Sequence, residues 1–273
     1  MTMRVLIASL LTAMTVASTT VSAGEFVTFD SGIKPEPVRL VGYLARPQGA
    51  GPFPAVVLLH GCGGFHSSMI SWADRLSRYG YAALAVDSFG PRGMDENCGG
   101  FFFHEQAADA YAALGYLTVK PFVRSSHVAV MGFSMGGGSV LAALEKGPLQ
   151  QHYAEKFRAG IAFYPICQYA SGLTTVPVLV LTGAADSWTP SSSCEAMVAG
   201  RSELGAPRTP GDRSSIELVI YPGVHHSFDQ LDLSLAPTRG ITIKGHRAEF
   251  NEEAARNSIV RVRDFLQRTI GGP

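Results

Sequence analysis

The sequence has no excess of charge of either sign. Its 273 residues include 22 lysines and arginines and 22 aspartates and glutamates, so the formal net charge is zero. No block of like charges stands out along the chain. Because binding to a phosphate backbone requires a basic surface, we expect no nucleic-acid partner. The length is sufficient for one large domain with a sizeable core.

Long hydrophobic runs are also missing. The N-terminal segment combines Arg4 with a short apolar stretch at residues 5–17 and small residues that end at Ala23. This pattern predicts a secretory signal peptide over residues 1–23, and therefore a periplasmic or secreted mature chain. An uncleaved membrane anchor is the alternative, but the stretch contains Ser and Thr and is shorter than the roughly 20 residues that a span needs. We expect no membrane span in the mature chain.

Cysteine is scarce, with four residues, and no Cys-x-x-Cys or His-x-x-x-His spacing occurs. The sequence therefore indicates no metal site, and it suggests no cofactor. An oxidising compartment permits disulfides, and three pairings are possible in principle. We predict that Cys167 pairs with Cys194, because the two residues follow neighbouring strands. We also predict that Cys62 pairs with Cys98, which would join the loops after two successive strands.

Internal repeats and low-complexity linkers are absent, so the sequence predicts a single domain over residues 24–273. Apolar runs of strand length alternate with helix-compatible segments, as is typical of a mostly parallel sheet with helices on both faces. In the last helix candidate, Ala255, Ile259, Val262 and Leu266 share one face. The strand candidates cover residues 54–60, 81–87, 127–133, 159–165, 177–183 and 216–223.

Ser134 stands between the third of these strand candidates and a helix candidate. Residues 132–136 read Gly-Phe-Ser-Met-Gly and so match Gly-x-Ser-x-Gly, the pattern of a nucleophile elbow. Glycines at both ends allow a sharp turn from which the hydroxyl projects. A helix N-cap would also explain a serine at this place, so further residues have to decide between the two interpretations.

A serine nucleophile requires a base, and the base requires an orienting acid. Asp186 follows the strand candidate at 177–183, and two adjacent histidines, His225 and His226, follow the one at 216–223, so the chain order Ser, Asp, His is that of an α/β-hydrolase. We expect an oxyanion hole made by the backbone amides of Met135 and Cys62, the latter in the glycine-rich segment 60–66. These features together predict a serine hydrolase.

The chain resembles the dienelactone hydrolase family of α/β-hydrolases over nearly all of its mature part. The matching pieces are "LLHGCGG", "AVDSFGPRG", "GFSMGG", "LTGAADSWTP" and "YPGVHHSF". The family's catalytic histidine lies in a His-x-Phe setting, which falls on His226 with Phe228. The family's name-giving enzymes carry a cysteine nucleophile and a glutamate after the third strand, where this chain has Ser134 and Gly61. The resemblance implies an α/β-hydrolase that cleaves carboxylic esters or lactones.

The substrate cleft is expected to be open and to suit small esters or lactones. The connection at residues 165–175 is too short for a large lid domain, so the loop at 88–105 should shape the cleft. Arg92 in this loop could bind a substrate carboxylate, although pairing with Asp87 is the favoured alternative. Phe101 could form a pocket wall or belong to the core, and His60 could line the oxyanion hole or be structural.

Three functions are compatible with this pattern. The first is hydrolysis of a small-molecule ester or lactone through an acyl-serine intermediate. The second is acyl transfer by the same triad to an alcohol, which the sequence does not separate from hydrolysis. The third is a non-catalytic module that binds a ligand in the same cleft, against which the intact set of Ser134, Asp186 and His226 argues. The oligomeric state stays open.

Overall fold

The computed structural model describes residues 24–32, 37–202, 215–236 and 240–272. The predicted signal peptide at residues 1–23 lies outside the described residues. No helix in the described ranges has both the length and the apolar composition that a bilayer span requires.

An eight-stranded sheet forms the centre of the molecule. Six neighbouring strands run parallel in the order β4-β3-β5-β6-β7-β8, and β1 and β2 extend the sheet antiparallel beside β4. The predicted mostly parallel sheet is thus confirmed. The strands are β1 (Glu25–Asp30), β2 (Arg39–Ala45), β3 (Phe53–Leu59), β4 (Ala82–Asp87), β5 (Val123–Phe133), β6 (Ala159–Phe163), β7 (Val178–Gly183) and β8 (Ile216–Tyr221).

Helices cover both faces of this sheet, and the central strands alternate their buried side chains between two core clusters. One cluster contains apolar residues of α2, α3 and α5, and the other contains those of α1 and α6. From the predicted apolar face of the last helix, Val262 and Leu266 belong to the second cluster and Ile259 packs against it. The helices are α1 (Ser67–Arg78), α2 (Phe103–Thr118), α3 (Met135–Leu144), α4 (Pro148–His152), α5 (Ser191–Val198) and α6 (Glu252–Thr269).

A second, two-stranded sheet was not expected from the sequence. It is the antiparallel hairpin of β9 (Gly240–Ile243) and β10 (His246–Glu249), which lies between β8 and α6 in the chain. Each strand has only four residues, which is too short for a period-two pattern to stand out. The hairpin is joined to the main fold by a parallel bridge between Ala248 and His226.

The two predicted disulfides, Cys62–Cys98 and Cys167–Cys194, are both present. Cys62 is bonded to Cys98 with 4.7 Å between their Cα atoms. Cys167 is bonded to Cys194 with 4.9 Å between their Cα atoms, and both of these residues are buried. Because such bonds persist in oxidising compartments, they indicate a location outside the cytoplasm.

Candidate active site

Ser134 occupies a strained turn between β5 and α3. Its φ is 53°, a left-handed value that is uncommon for a residue with a side chain. The two flanking glycines are needed because a Cβ on Gly132 would lie 2.1 Å from the Gly136 oxygen, and a Cβ on Gly136 would lie 2.4 Å from the Leu59 oxygen. The Ser134 amide donates a hydrogen bond to the Phe163 oxygen of the next strand at 2.9 Å. The surrounding strands thus hold the strained turn in place.

The structure brings Ser134, Asp186 and His226 into one hydrogen-bonded chain. His226 Nε2 lies 3.0 Å from Ser134 Oγ, and His226 Nδ1 lies 2.7 Å from Asp186 Oδ2. Asp186 follows β7 and His226 follows β8, so the residues converge because parallel strands end at the same edge of the sheet. A proton can therefore pass between the hydroxyl and the imidazole, with the carboxylate fixing the ring.

The Asp186 carboxylate accepts hydrogen bonds from other groups besides His226. Its Oδ1 accepts backbone N–H bonds from Trp188 at 2.8 Å and Thr189 at 2.9 Å, and the Thr189 hydroxyl lies 2.8 Å from its Oδ2. Burial by itself would raise the pKa of Asp186, but the contacts with His226 and Thr189 outweigh it and the pKa is lowered. The carboxylate therefore stays ionised beside the imidazole. Sequence reasoning missed Thr189, whose only signal is its position three residues after Asp186.

The backbone around His226 distinguishes it from its neighbour His225. Glu249 of β10 donates its N–H to the His226 oxygen at 2.9 Å, and the His226 ring packs between Tyr164 and Trp188, with centroids 4.6 Å and 5.1 Å away. His225 points elsewhere, with its Nδ1 3.0 Å from the Ala185 oxygen. The structure therefore brings only the second of the two adjacent histidines to Ser134.

His60, at the end of β3, is completely buried and lies outside the cleft walls. Burial lowers its pKa to about 4, so the ring is neutral at pH 7. Its Nε2 accepts the Ser88 N–H at 3.1 Å, which leaves the proton on Nδ1 for a bond to the Gly61 oxygen at 2.7 Å. His60 thus has a structural position, one of the two that the sequence allowed.

The Gly61–Cys62 peptide lies beside Ser134. A Cβ placed on Gly61 would be 3.5 Å from Ser134 Cβ, and the Gly61 oxygen is fixed by His60 Nδ1 and by the Gly64 amide at 3.1 Å. Because a trans peptide points its N–H opposite to its C=O, the Cys62 N–H is directed away from His60. On the other side of Ser134, Met135 opens α3 with N–H groups of the first helical turn.

Arg92 has a different partner from the one predicted. Its two terminal nitrogens each lie 2.8 Å from one carboxylate oxygen of Asp109 on α2, and Nη1 also donates to the Ser88 oxygen at 2.6 Å. The predicted pairing with Asp87 is wrong, because the Asp87 carboxylate accepts the backbone N–H groups of Phe89 and Gly90 instead. Arg92 is not among the residues that line the two cavities at Ser134. Its guanidinium forms a bidentate ion pair with the buried carboxylate of Asp109.

Two cavities of different size meet at Ser134. The smaller, of about 120 Å³, also contacts His226, Trp72 and Asp229. The larger, of about 240 Å³, contacts Phe101 and Met135 but not His226. Phe101 is 68% exposed and therefore does not belong to the core, one of the two positions that the sequence allowed. Cys62, Cys98, Ser134 and Trp188 border both cavities.

The β9–β10 hairpin completes this cleft and was missed in the sequence. Ile243 borders the smaller cavity, and the His246 ring stacks on Trp188 with centroids 5.5 Å apart. The turn of the hairpin reaches the opposite loop, since a Cβ on Gly99 would lie 3.5 Å from Lys244 Nζ. The cleft is therefore bounded by the predicted loop on one side and by this short hairpin on the other.

Asp229 is a buried carboxylate close to the triad that does not contact Ser134. Its Oδ1 accepts the Tyr164 hydroxyl at 2.6 Å and its Oδ2 accepts the Trp72 indole N–H at 2.9 Å. Burial raises its pKa, and the two hydrogen bonds oppose that rise. Asp229 thus anchors two aromatic side chains behind His226, in keeping with the expectation that Asp186 orients the imidazole.

The sheet order, the elbow after β5 and the site at the carboxyl ends of the strands define the α/β-hydrolase fold. Solved structures share it: the dienelactone hydrolase-like promiscuous phosphotriesterase P91 from metagenomic libraries has 22% identity and a TM-score of 0.66, covering 92% of this chain and 100% of its own. Thermogutta terrifontis esterase 2, phosphoramylated by tabun, has 15% identity and a TM-score of 0.64, covering 91% of this chain and 95% of its own.

The chain belongs to the dienelactone hydrolase family, whose model matches residues 40–270. A curated relative from Bradyrhizobium sp., named "Probable 2-oxo-3-(5-oxofuran-2-ylidene)propanoate lactonase", is 25% identical over 212 residues, which are 70% of this chain and 79% of the relative. Family membership identifies the protein as a hydrolase of the ester and lactone type.

Proposed function

We propose that the protein hydrolyses carboxylic esters or lactones through an acyl-serine intermediate. The observation that carries this proposal is the continuous contact from Ser134 Oγ to His226 Nε2 at 3.0 Å and from His226 Nδ1 to Asp186 Oδ2 at 2.7 Å. A serine hydroxyl becomes a competent nucleophile when such a base accepts its proton. The name of the Bradyrhizobium relative, a lactonase, is in keeping with this chemistry.

In the first half-reaction, Ser134 Oγ attacks the carbonyl carbon and its proton moves to His226 Nε2. The carbonyl oxygen becomes an oxyanion, for which the amides of Cys62 and Met135 are the proposed donors. When the tetrahedral intermediate collapses, the bond to the alkoxy oxygen breaks and His226 returns the proton to that oxygen. An alcohol leaves, or the ring of a lactone opens, and the acyl group remains on Ser134.

Water carries out the second half-reaction. His226 takes a proton from the attacking water, the hydroxide adds to the acyl carbon, and collapse returns that proton to Ser134 Oγ and releases the acid. Asp186 stays ionised throughout and stabilises the imidazolium that forms in both halves. His60 contributes by holding the Gly61 oxygen, which fixes the orientation of the Gly61–Cys62 peptide and thus of the Cys62 N–H.

The test replaces the proposed nucleophile. Ser134→Ala should reduce kcat/KM for p-nitrophenyl acetate by at least about 10³-fold, because only the oxyanion hole and substrate binding then contribute to catalysis. Ser126→Ala is the matched control, since this serine is an exposed residue of the same strand, β5, and borders neither cavity at Ser134. Intact-mass analysis should show an organophosphate adduct on the wild type and none on Ser134→Ala. Activity of Ser134→Ala within tenfold of the wild type would refute the proposal.

We further propose that residues 1–23 are removed on export, so that the mature chain, a single domain, begins at Gly24 in the periplasm or outside the cell. The two disulfides support export, because they persist in oxidising compartments. Intact mass of the protein isolated from its host should equal the mass of residues 24–273 less four hydrogens. Retention of residues 1–23 would contradict this proposal.

A further inference from the structure

The two cavities that meet at Ser134 differ in the size of group that each can hold. A dry cavity of about 150 Å³ accommodates a benzene molecule. The larger cavity, at about 240 Å³, exceeds this value, and the smaller, at about 120 Å³, falls below it. The site therefore suits an ester with one group of at least aromatic-ring size and one short group.

The position of His226 decides which group enters which cavity. In the proposed reaction the imidazole returns its proton to the oxygen of the leaving alcohol, so the alcohol has to lie on the side of His226. His226 borders the smaller cavity and does not border the larger one. The short group is accordingly the alcohol part of the ester, and the larger group is the acyl part.

The walls of the larger cavity are aromatic at its mouth. The Phe101 ring meets the Tyr169 ring edge-on with centroids 5.1 Å apart, and Trp188 borders the same cavity. Phe101 is 68% exposed and Tyr169 is 36% exposed, so part of each side chain remains accessible to a bound group. Edge-on and offset contacts between aromatic rings contribute stabilisation in addition to that from the apolar surface area they bury. A bound aromatic ring can contact the accessible parts of both side chains.

The lining also indicates the charge of the group. None of the described residues that border the larger cavity is Arg, Lys, Asp or Glu, and Gln168 and Asn97 supply its long polar side chains. Arg92, the cation that the sequence offered for a substrate carboxylate, is occupied by Asp109. An acyl group without a charge therefore fits this wall better than a carboxylate does.

We infer that the cavity bordered by Phe101, Tyr169 and Trp188 binds an uncharged aromatic acyl group, so that the preferred substrates are esters of aromatic carboxylic acids with short alcohols. This inference rests on the proposed function, and it adds the substrate class and the residues that select it. Phe101 and Tyr169 act as specificity-determining residues that contact the substrate ring.

The experiment compares methyl benzoate, methyl acetate and phenyl acetate, which carry the ring on the acyl side, on neither side and on the alcohol side. Phe101→Ala and Tyr169→Ala should each lower kcat/KM for methyl benzoate about tenfold, mainly through KM, with less than about twofold change for the other two esters. Because each variant is compared across esters, differences in intrinsic ester reactivity cancel.

Phe26→Ala is the matched control. Phe26 is a phenylalanine on β1 that is 63% exposed and meets Tyr43 edge-on, but it borders neither cavity. Its removal should leave all three rates unchanged. A control that moved the methyl benzoate rate as Phe101→Ala does would overturn the inference.

The outcomes separate this inference from the proposed function. Equal losses on methyl benzoate and methyl acetate, or a selective loss on phenyl acetate, would overturn the inference while Ser134-dependent hydrolysis persisted. Hydrolysis that did not depend on Ser134 would refute the proposed function itself. A selective loss on methyl benzoate in both variants supports the inference.

Discussion

A histidine follows the carboxyl end of each of the strands β3 and β8, and the two histidines behave differently. His60 is 0% exposed and His226 is 2% exposed, and each has partners at both ring nitrogens. The partners of His60 are backbone groups, whereas those of His226 are the side chains of Asp186 and Ser134. A carboxylate can stabilise an imidazolium and a peptide group cannot do so to the same extent, so equal burial leads to a structural residue in one place and a candidate base in the other.

The largest expected effect comes from removing the histidine after β8. His226→Ala should lower kcat/KM for p-nitrophenyl acetate by at least about 10³-fold, as much as Ser134→Ala, because the two residues act as a unit. The Ser134→Ala, His226→Ala double variant should lose no more than either single variant. Steady-state kinetics with a thermal melt for each variant would check this, and additive losses would contradict the shared role.

The loop after β3 is held by the Cys62–Cys98 disulfide. The segment after β8 is held by backbone contacts between His226 and the β9–β10 hairpin. Cys62 and Cys98 are 36 residues apart, so their removal as the Cys62→Ala, Cys98→Ala pair should lower the free energy of unfolding by roughly 3–4 kcal/mol. The pair Cys167→Ala, Cys194→Ala should cost a similar amount, with a loop of 27 residues.

Only the first pair should also reduce kcat, because only that disulfide holds the peptide proposed as an oxyanion donor. Urea denaturation and p-nitrophenyl acetate kinetics on both pairs would check this. An equal fall of kcat in both double variants would contradict the hypothesis that the Cys62–Cys98 disulfide positions an oxyanion donor.

The neutral state of His60 should make the protein sensitive to acid. A histidine with a lowered pKa binds fewer protons in the folded state than in the unfolded state between pH 6.5 and about 4, so stability falls as the pH falls through this window. The contribution of His60 is about 3 kcal/mol over the whole window. His60→Asn keeps an N–H donor but does not titrate. Its free energy of unfolding, measured by urea denaturation at pH 6.5, 5.5 and 4.5, should fall less steeply with decreasing pH than that of the wild type. Parallel curves for the two proteins would contradict the assignment.

Activity should respond to His60 less than to His226. If His60 only fixes the Gly61–Cys62 peptide, His60→Ala should lower kcat roughly tenfold, below the 10²–10³-fold that loss of a whole oxyanion donor costs. His60→Asn should recover part of this loss, since its side-chain N–H can reach towards the Gly61 oxygen. A loss equal to that of His226→Ala would indicate that His60 acts directly on the substrate.

The smallest effect belongs to the neighbouring histidine in the chain. His225→Ala should change kcat/KM for p-nitrophenyl acetate less than about twofold, because its ring contacts the Ala185 oxygen and makes no contact with Ser134. This variant is a matched control for His226→Ala, with the same residue type one position earlier. A reversed order of the two variants would mean that the other histidine is the base.

Much of this protein follows from the sequence alone. Continuous apolar runs can be satisfied only by strands covered on both faces, which leads to the parallel sheet and its helices. Gly-x-Ser-x-Gly between a strand and a helix leads to Ser134. The chain order leads to Asp186 and to the pair His225 and His226, of which the family's His-x-Phe setting selects His226. Both disulfides were predicted because cysteines that follow neighbouring strands of a parallel sheet lie at one edge. These features are local patterns, or follow from strand order alone.

The tertiary structure decided the rest, because those features depend on which groups meet across loops. Arg92 pairs with Asp109 of α2 rather than with the nearby Asp87, whose Oδ1 accepts the backbone N–H groups of Phe89 and Gly90. The hairpin strands have no pattern of their own and are held by contacts with His226 and Trp188. The neutral form of His60 follows from burial, and the exposure of Phe101 follows from the course of its loop. Burial and distant hydrogen-bond partners are properties of the packed chain, and no local stretch of sequence encodes them.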